Sequence, residues 1–327
     1  MSKTKSKRMF ILARAKLNLT LDILGRRPDG YHELESVVQS IDLYDGVAVG
    51  STAARPIMHD GAEIGVTLDC EHPLVPRGHE NLVVRAAIAM ARYTRVGASV
   101  WIDMKKQIPV AAGLGGGSAD AAAVLLGLNE MWGLGLSGAE LARIGETVGA
   151  DVPFCITGGS GVIRGKGERV EPLPALENVW FVVVVPPCTI STAEAYAAFD
   201  KMGSTGAGAG AVKGYSHGVA RATPAMIEAV AAGDLKRIAA GLANDLEEVA
   251  TSMVPAIAEA KRALLEAGAL GAGMSGSGPA VFGVAENEKA ARQIRRALRE
   301  KYDTTFVCCS TARGLERVEL RQRIRYD

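Results

Sequence analysis

The chain has 327 residues, of which 48% are hydrophobic and 22% charged, a balance typical of globular proteins and not of disordered ones. Lys and Arg number 37 against 36 Asp and Glu, so the net charge of +1 gives no reason to expect nucleic acid or an acidic membrane as a partner. This length predicts two domains, each large enough to bury its own core. The five cysteines are irregularly spaced without a C-x-x-C pair, which argues against a disulfide framework or a zinc site and favours a cytoplasmic protein.

The first part of the chain predicts mainly strands joined by turns. Residues 10–24 begin apolar and then alternate between apolar and polar, a period typical of a strand. The segment 26–30, RRPDG, has the residues of a turn. Asn81 is suited to cap a helix, and Ser137 starts another, with Glu140 at the capping-box spacing. Further strands are predicted over 37–41, over 47–69 as a meander, and over 98–104.

A glycine-rich loop followed by a helix occupies the middle of the first half. Four glycines lie within residues 113–117, and an alanine-rich, helix-forming run follows Ser118. Ser118 is predicted as the N-cap of this helix, with Asp120 in its first turn. A glycine loop that ends at a helix N-terminus presents unpaired N–H groups to an anion. The segment therefore predicts a cradle for the phosphates of a nucleotide triphosphate.

This loop differs from both common nucleotide motifs. The sequence G-x-x-x-x-G-K-[ST] occurs nowhere, and Ser118 stands where the dinucleotide fingerprint needs its third glycine. Residues 271–276 do fit G-x-G-x-x-G, but a helix is predicted before them and a strand after, so we reject the dinucleotide interpretation. This second glycine loop, which includes Gly276 and Ser277, is either a tight helix-to-strand turn or, given its richness in Gly and Ser, a substrate or phosphate contact.

The second half predicts an α+β arrangement after a domain boundary near Arg169, which gives domains 1–168 and 169–327. Residues 203–214 are a low-complexity segment, predicted as a flexible surface loop or as a lid near the substrate. The basic residues between 313 and 325 indicate a solvated tail or an edge element. Strands are predicted over 179–185, 280–285 and 304–310, and helices over 192–199, 224–232, 235–246, 255–267 and 288–301.

Two charged residues are candidates for catalysis. Lys16 interrupts an apolar strand pattern, so either its stem carries the ammonium to the surface or it is a fixed cation beside a transferring phosphoryl group. Asp151 lies just past a predicted helix and is either a turn residue or a carboxylate that accepts a proton from an acceptor hydroxyl. A lysine paired with Asp151 would hold it ionised, although neither spacing shows that the two residues meet.

Phe, Trp and Tyr together make up only 5% of the chain. Three residues with ring side chains each have a structural and a functional interpretation. His32 is either a turn histidine or, beside Tyr31, a residue that reads the edge of a base while an aromatic ring stacks on it. Tyr196 is either part of a helix core or a second aromatic at the same site.

Three segments together resemble the GHMP kinase superfamily, which includes galactokinase, homoserine kinase and mevalonate kinase. They are ARAKLNLTLDILGRRPDGYHELESV, IPVAAGLGGGSADAAAV and GAGMSGSGPAVFGV. The first segment and GADVPF (149–154) are similar in particular to the branch that acts on 4-diphosphocytidyl-2-C-methyl-D-erythritol. The resemblance extends from residue 15 to about residue 310, and it leaves out 203–214 and the basic end.

The resemblance implies a two-domain α+β fold with the active site in the cleft between the domains. The N-terminal domain is expected to carry ATP and a left-handed βαβ unit like that of ribosomal protein S5, and the C-terminal domain to be ferredoxin-like. The implied reaction is ATP-dependent transfer of the γ-phosphoryl group to the 2-hydroxyl of the cytidine-diphosphate methylerythritol. Lys16 and Asp151 match the catalytic pair, with Asp151 as the base and Lys16 orienting it and stabilising developing charge.

The other site residues are also carried over by motif. Asn81 and Lys106 match positions near the adenine and the loop entrance. Asn18, Tyr31 and His32 match the cytidine-diphosphate side, with His32 hydrogen-bonded to cytosine. Thr192 and Tyr196 fall where a second aromatic stacks on cytosine. The ATP phosphate loop is matched by Pro109, Val110, Ala111, Ala112, Gly113, Leu114, Gly115, Gly116, Gly117, Ser118 and Ala119.

Mg²⁺ is expected with ATP, but no residue matches the magnesium-binding glutamate of some superfamily members, so its ligands are unassigned. Two alternatives stay open: a GHMP kinase for homoserine or a mevalonate-like alcohol, and a non-catalytic nucleotide-binding relative. The Tyr31-His32 pair argues against the first, and intact Lys16 and Asp151 argue against the second. The expected partners are the small-molecule substrate and ATP, without nucleic acid or membrane, in a monomer or homodimer.

Overall fold

The computed structural model describes residues 8–52, 56–59, 61–204 and 221–318. The strands are β1 (Arg8–Asn18), β2 (Thr20–Arg26), β3 (His32–Ser51), β4 (Ile57–His59), β5 (Ala62–Cys70), β6 (Ala98–Lys105), β7 (Ser160–Gly165), β8 (Arg169–Leu173), β9 (Trp180–Val184), β10 (Ala243–Asn244), β11 (Gly271–Met274), β12 (Val281–Ala285), β13 (Thr305–Cys309) and β14 (Leu315–Val318). The helices are α1 (Leu82–Thr94), α2 (Gly116–Trp132), α3 (Gly138–Glu146), α4 (Val152–Thr157), α5 (Thr192–Ser204), α6 (Ala222–Ala231), α7 (Leu235–Ala240), α8 (Glu247–Met253), α9 (Ala256–Glu266) and α10 (Glu288–Leu298). Of these helices, none is long and apolar enough to cross a membrane.

Ten strands form the larger sheet, which is organised around the 20-residue strand β3. The antiparallel partners of β3 are β2 and β7 along its first part and β1 and β6 along its later part. Beyond β6 the sheet continues through β5 and β4, whereas β8, β14 and β10 pair with β7, β1 and β2. These last three strands follow residue 168 in the chain, so the larger sheet contains strands from both predicted domains. The division into 1–168 and 169–327 stays a prediction.

Helices α1 and α2 pack on the larger sheet around an aliphatic core, and α3 packs against these two helices. The buried residues of α2 include alanines 119 and 121–123, whose methyl groups let the helix lie close to β1 and β3. This packing brings the glycine loop before α2 against β1, where the Lys16 N–H donates to Leu114 O at 3.0 Å. The predicted glycine loop and the predicted lysine strand are therefore neighbours.

The smaller sheet has four antiparallel strands in the order β11-β12-β9-β13. Successive side chains of β9 point to opposite faces, and both faces are buried. Phe181 and Val183 join a core shared with β1, β3, α6 and α7, whereas Val182 and Val184 join a core shared with α8, α9 and α10. The smaller sheet is thus packed between the larger sheet and a layer of helices, and the apolar run 179–185 is a buried strand as predicted.

The start of α2 differs from the prediction. The sequence predicts Ser118 as the N-cap, but the helix begins at Gly116 and its N-cap is Gly115. Gly115 has a φ of 73°, a left-handed conformation that glycine adopts without strain, so the glycine run itself turns the chain into the helix. Ser118 therefore lies in the first turn. Asp120 lies beyond the first turn, buried and paired with Lys106.

Three other predicted elements are corrected. Residues 10–24 form two strands rather than one, divided at Leu19. The helix predicted over 235–246 ends at Ala240 because Gly241 follows as its C-cap, and β10 then pairs with β2. Residues 271–274, predicted as loop, form β11, because their backbone pairs antiparallel with β12.

The segment predicted as flexible, 203–214, begins within a helix. The helix predicted over 192–199 continues to Ser204, and 205–214 lie outside the described residues. Of the basic end, residues 315–318 form β14, which pairs with β1 and so matches the edge-element alternative. The residues from 319 onward lie outside the described ranges.

Candidate active site

Two adjoining cavities meet at the central glycine loop. The large cavity, of about 910 Å³, and the small cavity, of about 400 Å³, share Gly113, Gly115 and Ser118 as walls. The predicted site residues in the wall of the large cavity are Lys16, Asn18, Tyr31, His32, Gly113, Gly115, Ser118, Asp151, Thr192, Tyr196, Gly276 and Ser277. Those in the wall of the small cavity are Asn81, Lys106, Thr192 and residues 109–118. Ala119 lines neither cavity, because it is buried and its N–H donates to Gly115 O at 2.9 Å.

Lys16 and Asp151 meet in the wall of the large cavity. Lys16 Nζ lies 3.5 Å from Asp151 Oδ2, and the lysine side chain is only 6% exposed. The surface alternative for Lys16 is therefore wrong. Asp151 is the N-cap residue of α4, yet its carboxylate makes no capping hydrogen bond and is one-third exposed. The carboxylate is thus held by a cation on one side and open to the cavity.

Local irregularities in the backbone aim Lys16 at this place. The β1–β3 register shifts between Arg14 and Lys16, which ends the alternation of buried and half-buried residues along β1. The lysine stem then crosses Gly115, where a Cβ atom would lie 2.9 Å from Lys16 Cγ. A glycine is required here both by its positive φ and by the passage of the lysine.

Asn18 extends the charged pair into a hydrogen-bonded chain. Lys16 Nζ donates to Asn18 Oδ1 at 2.5 Å, and Asn18 Nδ2 donates to Ser36 Oγ at 2.9 Å. The Ser36 hydroxyl in turn donates to Thr20 O. Ser36 therefore fixes which end of the Asn18 amide faces the lysine. Sequence reasoning missed Ser36, since a serine within a strand gives no sign of this role.

The second glycine loop holds the first in place. Ser275 Oγ donates to Gly113 O at 2.9 Å and accepts from the Asn18 N–H at 3.3 Å. A Cβ on Gly113, whose φ is 80°, would lie 2.2 Å from Ser275 O. Thr192 Oγ1 and Ser277 Oγ, 2.9 Å apart, join α5 to the same loop. The N-terminal end of α2, with its unpaired N–H groups, is thus fixed between the two sheets and faces both cavities.

A buried ionic triad supports the entrance of the glycine loop. Lys106 Nζ lies 2.6 Å from Asp120 Oδ2 and also contacts Asp45, and all three side chains are nearly inaccessible. Asp45 Oδ1 accepts from the N–H groups of Gln107 and Ile108 at 2.6 and 2.9 Å. Burial acts to lower the pKa of Lys106, but the two carboxylates more than reverse this, so its pKa is raised and the ammonium stays charged. Asp45 was not predicted from the sequence.

The far end of the large cavity is built from aromatic residues. Tyr31 directly follows the predicted turn and is 59% exposed, and Lys166 Nζ lies 5.3 Å from its ring centroid. His32 is buried, and its ring stacks on Tyr196 with centroids 4.7 Å apart. Burial, with a further contribution from the negative charge of Asp151, raises the pKa of Tyr196 to about 12, so its phenol is neutral.

Asp200 completes this end of the cavity. His32 Nε2 lies 2.8 Å from Asp200 Oδ1, and Arg26 Nη1 lies 3.6 Å from Asp200 Oδ2. Asp200 follows Tyr196 by four residues in α5, a spacing that places both on one helix face and could have indicated it as a site residue. The histidine itself comes from the start of β3, far away in sequence.

Comparison with known proteins identifies the class to which this fold and site belong. The model described as "GHMP kinases N terminal domain" matches residues 81–159, and the one described as "GHMP kinases C terminal" matches residues 226–304. The chain belongs to the GHMP kinase family, which confirms the resemblance of the three segments and the two-domain α+β fold that it implies.

Two relatives with similar sequences share one name. A 4-diphosphocytidyl-2-C-methyl-D-erythritol kinase of Pelotomaculum thermopropionicum is 48% identical over 296 residues, which span 90% of this chain and 96% of the relative. The enzyme of the same name from Alkaliphilus metalliredigens is 41% identical over 309 residues, or 94% of this chain and 98% of the relative. A crystal structure of a 4-(cytidine 5'-diphospho)-2C-methyl-D-erythritol kinase matches with a TM-score of 0.71 and 33% identity over 92% of this chain and 99% of its own. A homoserine kinase from Cytophaga hutchinsonii matches with a TM-score of 0.72 but 18% identity over 97% of this chain and 99% of its own, a likeness of fold alone.

Proposed function

We propose that this protein is an ATP-dependent kinase that phosphorylates the 2-hydroxyl of 4-diphosphocytidyl-2-C-methyl-D-erythritol, a step in non-mevalonate isoprenoid precursor biosynthesis. The observation that carries the proposal is the Lys16–Asp151 pair, which lies between a glycine loop at a helix N-terminus and an aromatic pocket containing His32. The names of the relatives with 41–48% identity support the same substrate.

The proposed reaction needs positioning and charge neutralisation more than covalent chemistry by the protein. The acceptor oxygen attacks the γ-phosphorus of ATP, the bond from that phosphorus to the β,γ-bridging oxygen breaks, and ADP leaves. The proton of the acceptor hydroxyl passes to the Asp151 carboxylate, whose open side faces the cavity. Lys16 holds that carboxylate in place and offsets the negative charge that develops on the transferring group.

The presence of two adjoining cavities supports a separate site for each substrate. The small cavity, walled by residues 109–118, is the proposed ATP site, with the phosphates at the N-terminal end of α2. Asn81 lines this cavity while its side chain caps α1, and Lys106 lines it from the ionic triad. The large cavity is the proposed acceptor site, and its end at His32 and Tyr196 is the proposed position of the cytosine.

Magnesium is proposed to arrive on the phosphates of ATP. Among the residues that the structure describes, no group of three or more His, Cys, Asp or Glu could hold a metal ion. Mg²⁺ in kinases keeps several waters and is bound through substrate phosphates and one or two carboxylates, so no such cage is required. The ion would neutralise phosphate charge, and we assign it no protein ligand.

The cellular setting is proposed from composition. All five cysteines are free thiols, which supports a reducing cytoplasm. The partners are ATP and the cytidine-diphosphate alcohol, with no nucleic acid or membrane, and the protein acts as a monomer or a homodimer.

A coupled assay of ADP release tests the proposal. The purified protein is supplied with ATP and Mg²⁺ and with one acceptor at a time: the cytidine-diphosphate methylerythritol, homoserine or mevalonate. Turnover confined to the cytidine substrate is expected. Equal or greater turnover with homoserine or mevalonate would contradict the substrate, and no ADP release with any acceptor would contradict the kinase activity.

A further inference from the structure

His32 has one ring nitrogen occupied by a carboxylate. Its Nε2 lies 2.8 Å from Asp200 Oδ1, while among the described residues no hydrogen bond to Nδ1 is formed. The His32 side chain is 8% exposed and lines the large cavity. The ring is also held from one face by Tyr196, stacked at 24° between planes. The imidazole is therefore fixed in position, with a single polar edge left to a ligand.

The Asp200 carboxylate determines which kind of hydrogen bond the Nδ1 atom of His32 can form. An ionised carboxylate only accepts hydrogen bonds, so the hydrogen between Asp200 and His32 sits on Nε2. In a neutral imidazole, one nitrogen is the donor and the other the acceptor. Nδ1 then presents a lone pair. Arg26 Nη1 lies 3.6 Å from the second oxygen of Asp200, so that oxygen faces a cation and not the imidazole.

We infer that Asp200 is a positioning residue that selects cytosine over uracil by holding His32 in the Nε2–H tautomer. The inference rests on the proposed function. A lone pair on Nδ1 accepts a hydrogen bond from the exocyclic amine of cytosine. In uracil a carbonyl oxygen replaces this amine, so two acceptors, Nδ1 and the carbonyl oxygen, would face each other. Each would be buried without a hydrogen-bond donor. Selectivity for the base thus depends on a residue that need not touch it.

The position of Asp200 supports a role in the site rather than in the fold. Its side chain is 28% exposed on α5, so it is not part of a packed core. Within the described part of the chain its carboxylate contacts His32 and Arg26, and both of these residues also line the large cavity. Glu194 lies on the same helix, is exposed and lies outside the cavity wall, which makes it a matched control.

The test compares base selectivity in Asp200→Asn, Asp200→Ala and Glu194→Gln. kcat/KM is measured for the cytidine substrate and for its uridine-diphosphate analogue. An asparagine amide can accept from Nε2–H through its oxygen or donate to a bare Nε2 through its NH2, so it no longer fixes the tautomer of His32. We expect the ratio of kcat/KM for the cytidine substrate to that for the uridine analogue to fall by at least about tenfold in Asp200→Asn and in Asp200→Ala. Both a lower kcat/KM for the cytidine substrate and a higher kcat/KM for the uridine analogue should contribute. The ratio should stay unchanged in Glu194→Gln. An unchanged ratio in both Asp200 variants would overturn the inference.

Nitrogen-15 NMR of the histidine rings gives a second readout that does not depend on turnover. In the full-length protein, with His32 assigned through His32→Gln, we expect Nε2 to carry the proton and Nδ1 to be bare. A proton on Nδ1, in either the other tautomer or the doubly protonated ring, would overturn the inference even if the Asp200 variants failed to fold. If the wild-type protein does not turn over the cytidine substrate at all, the proposed function fails, whereas the tautomer measurement still judges the role of Asp200.

Discussion

Replacing Gly115 by alanine should displace Lys16, the proposed catalytic lysine, and Gly133 offers a matched control at the other end of the same helix. Both glycines have positive φ, 73° and 65°, so either substitution should cost about 1–2 kcal/mol of folding stability. A Cβ on Gly133 would meet no atom within 4 Å. A Cβ on Gly115 would lie 2.9 Å from Lys16 Cγ and 3.1 Å from its Cε, well inside ordinary contact distance.

Gly115→Ala should therefore lose activity beyond what its loss of stability explains, whereas Gly133→Ala should not. Restoring a carbon–carbon separation of about 3.5–4 Å moves the lysine stem by roughly 0.5–1 Å. A misplacement of that size at a catalytic group lowers the rate by about 10- to 100-fold. Urea unfolding measures the stability of Gly115→Ala and Gly133→Ala, and steady-state ADP release measures kcat. A folded Gly115→Ala protein with the kcat of Gly133→Ala would refute the claim that Gly115 makes room for Lys16.

Other predictions concern the ionic triad and the aromatic pocket. Lys106→Ala should lower the free energy of unfolding by about 3–5 kcal/mol, because Asp45 and Asp120 would stay buried without a counter-charge. A loss below about 1 kcal/mol, measured by urea unfolding, would contradict this prediction. Tyr196→Ala should raise KM for the cytidine substrate, and an unchanged KM would make Tyr196 a core residue only. Burial, aided by the charge of Asp151, raises the pKa of Tyr196 from 10.0 to about 12. As pH rises, this phenol therefore ionises in the unfolded chain before it ionises in the folded protein. The free energy of unfolding that it contributes is lost as pH rises from about 10 to 12. Tyr196→Phe should remove that part of the alkaline loss, and identical pH profiles of unfolding would argue against the shift.

Local patterns predicted local structure well. Asn81 and Ser137 cap α1 and α3, and the second cap is the predicted capping box with Glu140. The signal in each case lies within four residues, so no tertiary information is needed. The start of α2 was predicted wrongly because its local signal is ambiguous. Several successive glycines can each serve as the N-cap, and only the packing of the folded chain determines which one does.

Contacts between distant segments were beyond the sequence alone. Composition and spacing offered Lys16 and Asp151 as separate candidates, and only the register shift in β1 and the placement of α4 bring them within 3.5 Å. The partner of His32 lies 168 residues away in α5. Asp45 is one of 36 acidic residues, and only its burial against the loop entrance distinguishes it.

Polar residues in β1 and β2 show a further limit of sequence periodicity. The alternation from Leu17 onward correctly indicates strand, yet its polar members Asn18, Thr20 and Asp22 are buried too. Thr20 Oγ1 and Thr223 Oγ1 lie 2.8 Å apart, and Asp22 accepts from the N–H of Thr223 at 2.9 Å. These strands run between two packed layers, so their polar face meets the cavity and α6 instead of water.

The proposed role of Asp151 and Lys16 as the phosphoryl-transfer pair is tested by the kcat of Asp151→Asn and Lys16→Ala with the cytidine substrate. ATP affinity is measured beside it by calorimetry, with Asp303→Asn, an exposed carboxylate that lines neither cavity, as the control. We predict that kcat falls by about 10² or more in both variants, with a smaller change in ATP affinity and none in the control. Near-normal kcat in both variants would contradict the role of the pair.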